Sequence, residues 1–400
     1  MSRRQRAAAA VLALCAALLT SCWDKVEIND LSLVSLAGLD RDPESGIYTV
    51  YLQVINPATG ASAQGAPGGE QAPVYTYAAS GKSLAEAQVT FYKLLPRRMF
   101  LHHTKAVLIS ERAAKQGMRD FLNFSELQPD ARTSIPLLVV DGSIDEVMRT
   151  FTPLDWNPAD AITSRLNLLH DYAMMTGRRI ELRDVIERTE REELIVIPLI
   201  SATPKTGDHS NWDVKAEINA NRNQLKLGRR AIGAVIENYR MVGRLYENDL
   251  IMYHVLIGEK GQFVRRFPFR GGHITVIMKT KRMERRLDWK AGKPVVRLRL
   301  RLEFSTIAMK EYFPQTLDEL KKLEQHLNQV FAEELTTFVD KTRRKGWDLL
   351  RIRSLLHRKA PNLPDPDQAA SEAEIKIEVE TRLRGMGNLG RLYDGAGGEP

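Results

Sequence analysis

Apolar residues in this chain fall into short alternating runs, separated by stretches that repeat every three to four positions, and this pattern predicts a mixed α and β fold. Ile47 to Ile55 and Val74 to Tyr77 are rich in β-branched and aromatic residues and read as strands. Ser83 followed by Glu86 makes a capping box for a helix to about Leu95. Lys105 to Ser110 predicts a strand, Glu111 to Phe124 a helix, and Ile135 to Val140 a buried strand. Asn157-Pro158 opens a helix to about Met175, with Ala161, Ile162, Leu166, Leu168, Leu169 and Tyr172 apolar. Leu194 to Ile200 closes this first region as a strand.

Thr203 to Asn211 is polar and turn-rich, and the pattern starts afresh beyond it. Ala231 to Ile236 and Met241 to Leu245 predict a hairpin around Asn238-Tyr239-Arg240. His273 to Lys279 reads as a strand, and Val296 to Phe304 alternates strictly. Thr316 and Glu319 cap a helix that carries Leu317, Leu320, Leu323, Leu327, Val330, Phe331, Leu335 and Phe338 on one face. Ile375, Ile377 and Val379 alternate in a last strand. The expectation is an α+β protein of several domains, with mixed sheets and packed helices. Residues 22–202 form its first region, which has room for two subdomains. Residues 203–211 form a linker, 212–385 a second domain and 386–400 a flexible tail. Residues 57–73, almost entirely Ala, Gly, Pro, Ser and Gln, read as a mobile loop within the first region.

Composition sharpens this at one end of the chain. With 400 residues, 7% aromatics and a mean hydropathy of −0.30, the sequence does not look like a protein of many membrane spans. Its two cysteines are too few for a disulfide scaffold or a four-thiolate metal site, and both lie in the first 22 residues. Arg3, Arg4 and Arg6 precede an apolar run from Ala7 to Leu19, and Thr20-Ser21-Cys22 follows. A basic head, a short apolar stretch and small residues predict a signal peptide over 1–21. Leu19-Thr20-Ser21-Cys22 resembles the bacterial lipobox, in which the cysteine thiol receives a diacylglycerol and becomes the first mature residue. Each buried methylene contributes about 0.8 kcal/mol, and two acyl chains hold where one is marginal, so Cys22 is read as a membrane-lipid anchor. Cys15 leaves with the leader, and the net charge falls from +8 to +5 with the three leader arginines.

Catalytic patterns are absent from the sequence. Gly385, Gly387 and Gly390 spell Gly-x-Gly-x-x-Gly, but no helix and no later acidic residue at dinucleotide-site spacing follow. His102-His103 lacks a third metal ligand, and His170-Asp171 reads as a surface pair. No nucleophile motif or P-loop occurs, so the expectation is a protein that is not an enzyme and carries no metal or cofactor. Charge is more informative. Between Lys260 and Arg301 there are 14 Lys or Arg and two acids, Glu284 and Asp288. Arg297, Arg299 and Arg301 alternate with apolar residues and so share one face of a strand. That stripe suits anionic lipid headgroups or an acidic partner; it equally suits a solvated face balanced by the acidic run from Glu181 to Glu193. Export by the leader argues against nucleic acid as a partner.

Cys22-Trp23-Asp24, followed by Glu27-Ile28-Asn29-Asp30-Leu31, resembles the mature start of the Ger(x)C family, the lipoprotein C subunits of spore germinant receptors. The resemblance continues at Gly81 to Ala87, His102 to Ser110, Gly233-Ala234-Val235 with Gly243, the helix near 317–343, and Arg382 to Gly385. It departs at Asp348-Leu349-Leu350-Arg351-Ile352, where the family usually has Asp-Ile-Phe-Gly-Phe followed by a tryptophan-containing loop, and in Leu245 to Gly258, which lacks the usual Thr-Arg-Gly. The resemblance implies a non-catalytic subunit, anchored by Cys22 to the outer face of the inner spore membrane. It would assemble there with membrane-embedded A and B subunits to trigger germination. A solute-binding lipoprotein of an uptake system shares the lipobox but requires two α/β lobes with aromatic or Arg residues converging on a cleft.

Overall fold

The computed structural model describes residues 3–5, 27–57, 72–128, 131–150, 157–173, 179–202, 225–227, 231–310 and 316–385. Cys22, most of the leader, the loop at 58–71, the linker at 203–211 and the tail at 386–400 lie outside these residues.

The first region is built on one sheet. Strands β1 (Leu31–Arg41), β2 (Tyr48–Ile55) and β3 (Val74–Gly81) run antiparallel. On its other side β1 is parallel first to β4 (Arg98–Phe100) and then to β5 (Ala106–Ser110). Strands β6 (Leu137–Val140) and β7 (Ile195–Ala202) continue in parallel. A short β8 (Leu225–Leu227) lies beside the end of β7, and the hairpin β9 (Ala231–Glu237) and β10 (Arg240–Tyr246) closes the edge antiparallel to β7. The order is β10-β9-β7-β6-β5-β1-β2-β3. Thus the hairpin that lies beyond the sequence-predicted linker is hydrogen-bonded into the first sheet, with Ile195 opposite Ile236 and Pro198 opposite Gly233.

The parallel strands are apolar on both faces because helices cover both. Helix α1 (Leu84–Leu94), capped by Ser83, lies over β2 and β3 through Phe91. Helices α2 (Glu111–Gln116) and α3 (Arg119–Leu127) lie on one face of the central strands, where Ala113, Ala114 and Leu122 meet Val107, Ile109, Leu137 and Val139. On the opposite face α4 (Ile144–Met148) and α5 (Pro158–Ala173) meet Leu108, Leu138 and Val140. Helix α6 (Leu182–Glu190) returns to the first face through Leu182 and Val185. The single helix expected over Glu111 to Phe124 is two helices. Gly117, at φ 129°, ends the first in a conformation that a side chain would strain, and the buried Met118 side chain fills the corner.

The second region joins a four-stranded sheet to one long helix. Helix α7 (Glu247–Leu256) follows β10 directly, and every residue from Leu250 to Leu256 is buried. A helix apolar all round has no amphipathic repeat, which is why the sequence pattern does not predict it. Strands β11 (Gln262–Phe269), β12 (Gly272–Lys290) and β13 (Lys293–Lys310) form a meander. Helix α8 (Leu317–Arg343) crosses its inner face through Leu323, Leu327, Phe331, Leu335 and Phe338, packed on Phe263, Phe267, Leu298, Leu300 and Phe304. Its Thr316–Glu319 capping box forms as the sequence predicts. Two short helices, α9 (Ile352–Lys359) and α10 (Pro366–Glu372), lead into β14 (Glu374–Gly385), which adds parallel to β13. The outer edge of β14 is capped by side chains of α8: Thr381 N donates to Asn328 Oδ1 at 2.6 Å and Leu383 N to Glu324 Oε1 at 2.9 Å. Bonds of this kind satisfy edge amides that would otherwise invite another strand.

The two regions meet on the hairpin. One side of β9 and β10, with Val196 of β7, belongs to the same core as the second sheet, through Ile232, Val235 and Leu245. Trp347, just after α8, packs against Gly243 so closely that a Cβ there would collide with Cζ2 and Cη2 of the indole. The Lys345 ammonium stands 4.4 Å from the ring centroid on this buried indole. Gly243→Ala is expected to cost about 2–3 kcal/mol and Trp347→Ala about 3–5 kcal/mol, both read by urea unfolding. In the Trp347→Ala background, Gly243→Ala should cost less than about 1 kcal/mol, because the atoms it strikes are gone. Additive losses in this cycle refute the contact.

Candidate functional site

The structure places the sequence-predicted basic stripe on the outer face of the second sheet. Val296, Leu298, Leu300 and Leu302 point inward and are fully buried, while Arg297, Arg299 and Arg301 point to solvent. Each guanidinium has a carboxylate partner on a neighbouring strand: Arg297 Nε lies 2.6 Å from Asp288 Oδ2, Arg299 Nε 3.6 Å from Glu378 Oε2, and Arg301 Nε 3.2 Å from Glu380 Oε2. The acids that balance the stripe therefore come from β12 and β14 and not from residues 181–193. In that run Glu181 faces Arg183, Glu187 faces Arg191, Glu192 faces Arg353 and Glu193 faces Arg351. Asp288 lies across the β12–β13 hairpin from Arg297, whereas Glu378 and Glu380 come from a strand far away in sequence, and only its register reveals the match.

The other singled-out residues do not converge. His102 stacks on Phe100 with ring centroids 4.9 Å apart, and His103 sits in the same turn. His170 is near the end of α5. Gly385 ends β14, and Gly387 and Gly390 lie outside the described residues. Among the described residues no three His, Cys, Asp or Glu side chains come together as a metal-binding group.

The charged groups that do converge stand at the carboxyl ends of the parallel strands, the edge where open α/β sheets place their crevice. Asp40, at the end of β1, accepts hydrogen bonds from Ser110 Oγ and from both Nε and Nη2 of Arg112, the first at 2.7 Å from Nε. Burial works to raise the Asp40 pKa, but these donors outweigh it and hold the carboxyl below its ordinary value. One strand over, Arg244 of β10 reaches across to Glu111, at the start of α2, and to Asp141, beyond β6, whose Oδ1 is 3.2 Å away. Burial raises the Glu111 pKa as well, and hydrogen bonds from Lys115 and Arg244 more than reverse it. This network is satisfied internally and ties the hairpin to the first sheet. It has the character of a structural clamp.

A second set of charges spans the two regions. Arg351 stands where the resembled family pattern has Gly, and it adopts φ 53°, the left-handed conformation in which Gly is most at ease. Its Nη1 lies 3.3 Å from Glu193 Oε2, just before β7. Asp348 caps α9, accepting from Ile352 N at 2.8 Å and Arg353 N at 2.9 Å. The largely buried Arg285 of β12 donates to Leu350 O at 2.7 Å. Its pKa is lowered, first by burial and then by the nearby Arg351 charge.

Two family models cover the chain from end to end of this architecture. Residues 24–202 match the spore germination protein N-terminal domain, and residues 232–387 match the domain described as spore germination B3/GerAC like, C-terminal. The chain belongs to the GerAC-like family of spore germination proteins. Among its relatives is spore germination protein KC of Bacillus subtilis (strain 168), 24% identical over 401 residues and covering 95% of both chains. The putative spore germination protein YfkR of the same organism is 26% identical over 145 residues, or 36% of this chain and 38% of that one. The crystal structure of the GerBC protein has the same fold, with a TM-score of 0.52 at 15% identity, covering 87% of this chain and 97% of that one. A GerAC-like chain is a component of the germination machinery and not an enzyme. Its first region is a single α/β lobe; the second has the form of a sheet and one long helix, unlike the paired lobes that a solute-binding lipoprotein requires.

The clamp makes a test. An acid whose folded pKa is depressed contributes stability that is present above its unfolded pKa, about 3.9 for Asp, and is lost as pH falls through the folded value. Asp40→Asn is expected to cost about 1–3 kcal/mol at pH 7. The gap from the parent chain should narrow steadily below about pH 4. Urea unfolding at several pH values measures both, and a gap that stays constant to pH 2 contradicts the assignment.

Proposed function

We propose that this GerAC-like chain is the C subunit of a spore nutrient-germinant receptor. In this reading acylated Cys22 holds it on the outer face of the inner spore membrane, where it assembles with the membrane-embedded A and B subunits to trigger germination. The observation that carries the reading is the match of both regions, in order, to spore germination family models. The leader and the lipobox-like Leu19-Thr20-Ser21-Cys22 supply an anchor of two acyl chains. No helix among the described residues is long and apolar enough to cross a membrane.

The role proposed is scaffolding, or the transmission of a conformational change between subunits, with no catalysis. The shared hairpin supports this, because a displacement of one region is carried to the other through packed side chains and strand hydrogen bonds. The outer face of the second sheet is the proposed contact surface. Its Arg–acid pairs are about half exposed, and pairs of that kind contribute only about 0–1 kcal/mol each, so a partner's acids or anionic headgroups can replace them at little cost.

Cys22→Ala is expected to move the chain from the membrane fraction of spores to the soluble fraction. The acylated chain should bring two multi-span proteins with it on purification, and deletion should slow nutrient-triggered germination. Recovery without those partners, together with normal germination on deletion, overturns the assignment. Neutralising Arg297, Arg299 and Arg301 together, with Cys22 intact, should weaken partner or membrane association; unchanged association removes the contact surface and leaves the anchor standing.

A further inference from the structure

A cleft of about 790 Å³ opens beside the join, and its charged lining is Arg41, Arg119, Arg240 and Arg353 with Asp120, Glu192 and Glu237. Its walls are the end of β1 (Arg41), the corner between α2 and α3 (Gln116, Gly117, Arg119), the β9–β10 turn (Asn238 to Arg240), the end of α6 (Thr189, Glu192) and Arg353 of α9. The volume is in the range of small-molecule sites, roughly 300–1,000 Å³, and exceeds what a single ion needs.

Three of these guanidinium groups, Arg41, Arg119 and Arg240, have no carboxylate within 4.0 Å among the described residues, whereas Arg353 is paired with Glu192 and Asp367. Arg41 lies 4.7 Å from the centroid of the Tyr48 ring, and its buried Nε has no hydrogen-bond partner. Arg119 lies 4.8 Å from the Tyr239 ring centroid and makes one long bond, 3.4 Å, to Asn238 Oδ1. Three carboxylates line the same space. Glu192 faces Arg353 at 3.6 Å, Asp120 accepts from Tyr48 Oη at 2.8 Å, and Glu237 has no ion-pair partner among the described residues. Three arginines without ion-pair partners thus stand against two carboxylates without them, Asp120 and Glu237.

Asn238 and Tyr239 line the cleft as the two central residues of the β9–β10 hairpin, where a two-residue turn calls for positive φ at both, here 46° and 63°. The turn is fixed from behind, because Met118 N donates to Tyr239 O at 2.8 Å. The backbone that carries Arg240 is thus held in place, and Arg119 rests against the ring of the same turn.

We propose that this cleft binds a small organic or inorganic anion through its carboxylate or phosphate groups, held between Arg41, Arg119 and Arg240. The planar guanidinium fork matches both headgroups in two-point geometry. The proposal does not depend on membrane anchoring or on receptor partners.

The test is calorimetric titration of the full chain at low ionic strength, with inorganic phosphate in one arm and succinate in the other. At least one probe is expected to bind with Kd below about 1 mM. The arm that binds more tightly identifies the headgroup. Arg41→Gln with Arg240→Gln should weaken binding about tenfold or more. Glu237→Gln should tighten it about two- to fivefold by removing a competing charge, which keeps the test informative if the double variant folds poorly. Arg297→Gln, on the outer face of the second sheet, should leave it unchanged. Failure of both probes to bind at about 10 mM, or binding that none of the cleft variants alters, overturns the proposal.

Discussion

The indole of Trp347 resting on the bare backbone of Gly243 is the contact on which the joining of the two regions depends. A buried Trp removes roughly 150–250 Å² from water, worth several kcal/mol at about 25 cal/mol per Å². No side chain other than hydrogen at position 243 leaves room for it. Of the ion pairs across the same join, Arg353 with Glu192 is exposed and contributes far less, while Arg351 with Glu193 is mostly buried and its attraction is set against the cost of desolvating both charges. Packing supplies the cohesion, and the charges select the orientation in which that packing occurs.

The same division of labour runs through the molecule. At the carboxyl ends of the parallel strands, charges are shielded and tightly hydrogen-bonded, so Asp40 and Glu111 act as fixed ties between β1, α2 and the hairpin. On the outer sheet face, arginines and acids meet in solvent and can change partners. The proposed role in passing motion between subunits would use both kinds of surface. Ties that do not slip keep the regions in step, and exchangeable pairs let a neighbour engage without a large desolvation cost.

Much of this was legible in the sequence. The alternation from Val296 to Phe304, the Thr316–Glu319 cap and the long helix behind it appear where periodicity puts them, because one buried face enforces the pattern. The hairpin at Asn238-Tyr239-Arg240 was equally legible as a hairpin, but its membership was not. Strand hydrogen bonds to β7 involve backbone atoms, which leave no trace in residue type, while the side chains on its second face serve another core. Helix α7 was hidden for the opposite reason, since total burial erases the repeat that marks a helix. Neither the cleft nor the join could be read at all, because Arg41, Arg119, Arg240 and Arg353 are scattered along three hundred positions and only the fold brings them together. Gly243 was visible as part of a family pattern, and the indole explains why that position is glycine.

The order of chain synthesis gives the shared hairpin a further consequence. β7 is complete at Ala202, but the strands that pair with this edge begin at Leu225 and Ala231, so an emerging chain carries an apolar, unpaired sheet edge while the intervening residues are made. Bare edges of this kind attract other strands, and native pairing must wait for a distant segment. Translation speed between codons 203 and 246, and chaperone occupancy of β7 during that interval, thereby become determinants of how much correctly folded protein a cell obtains.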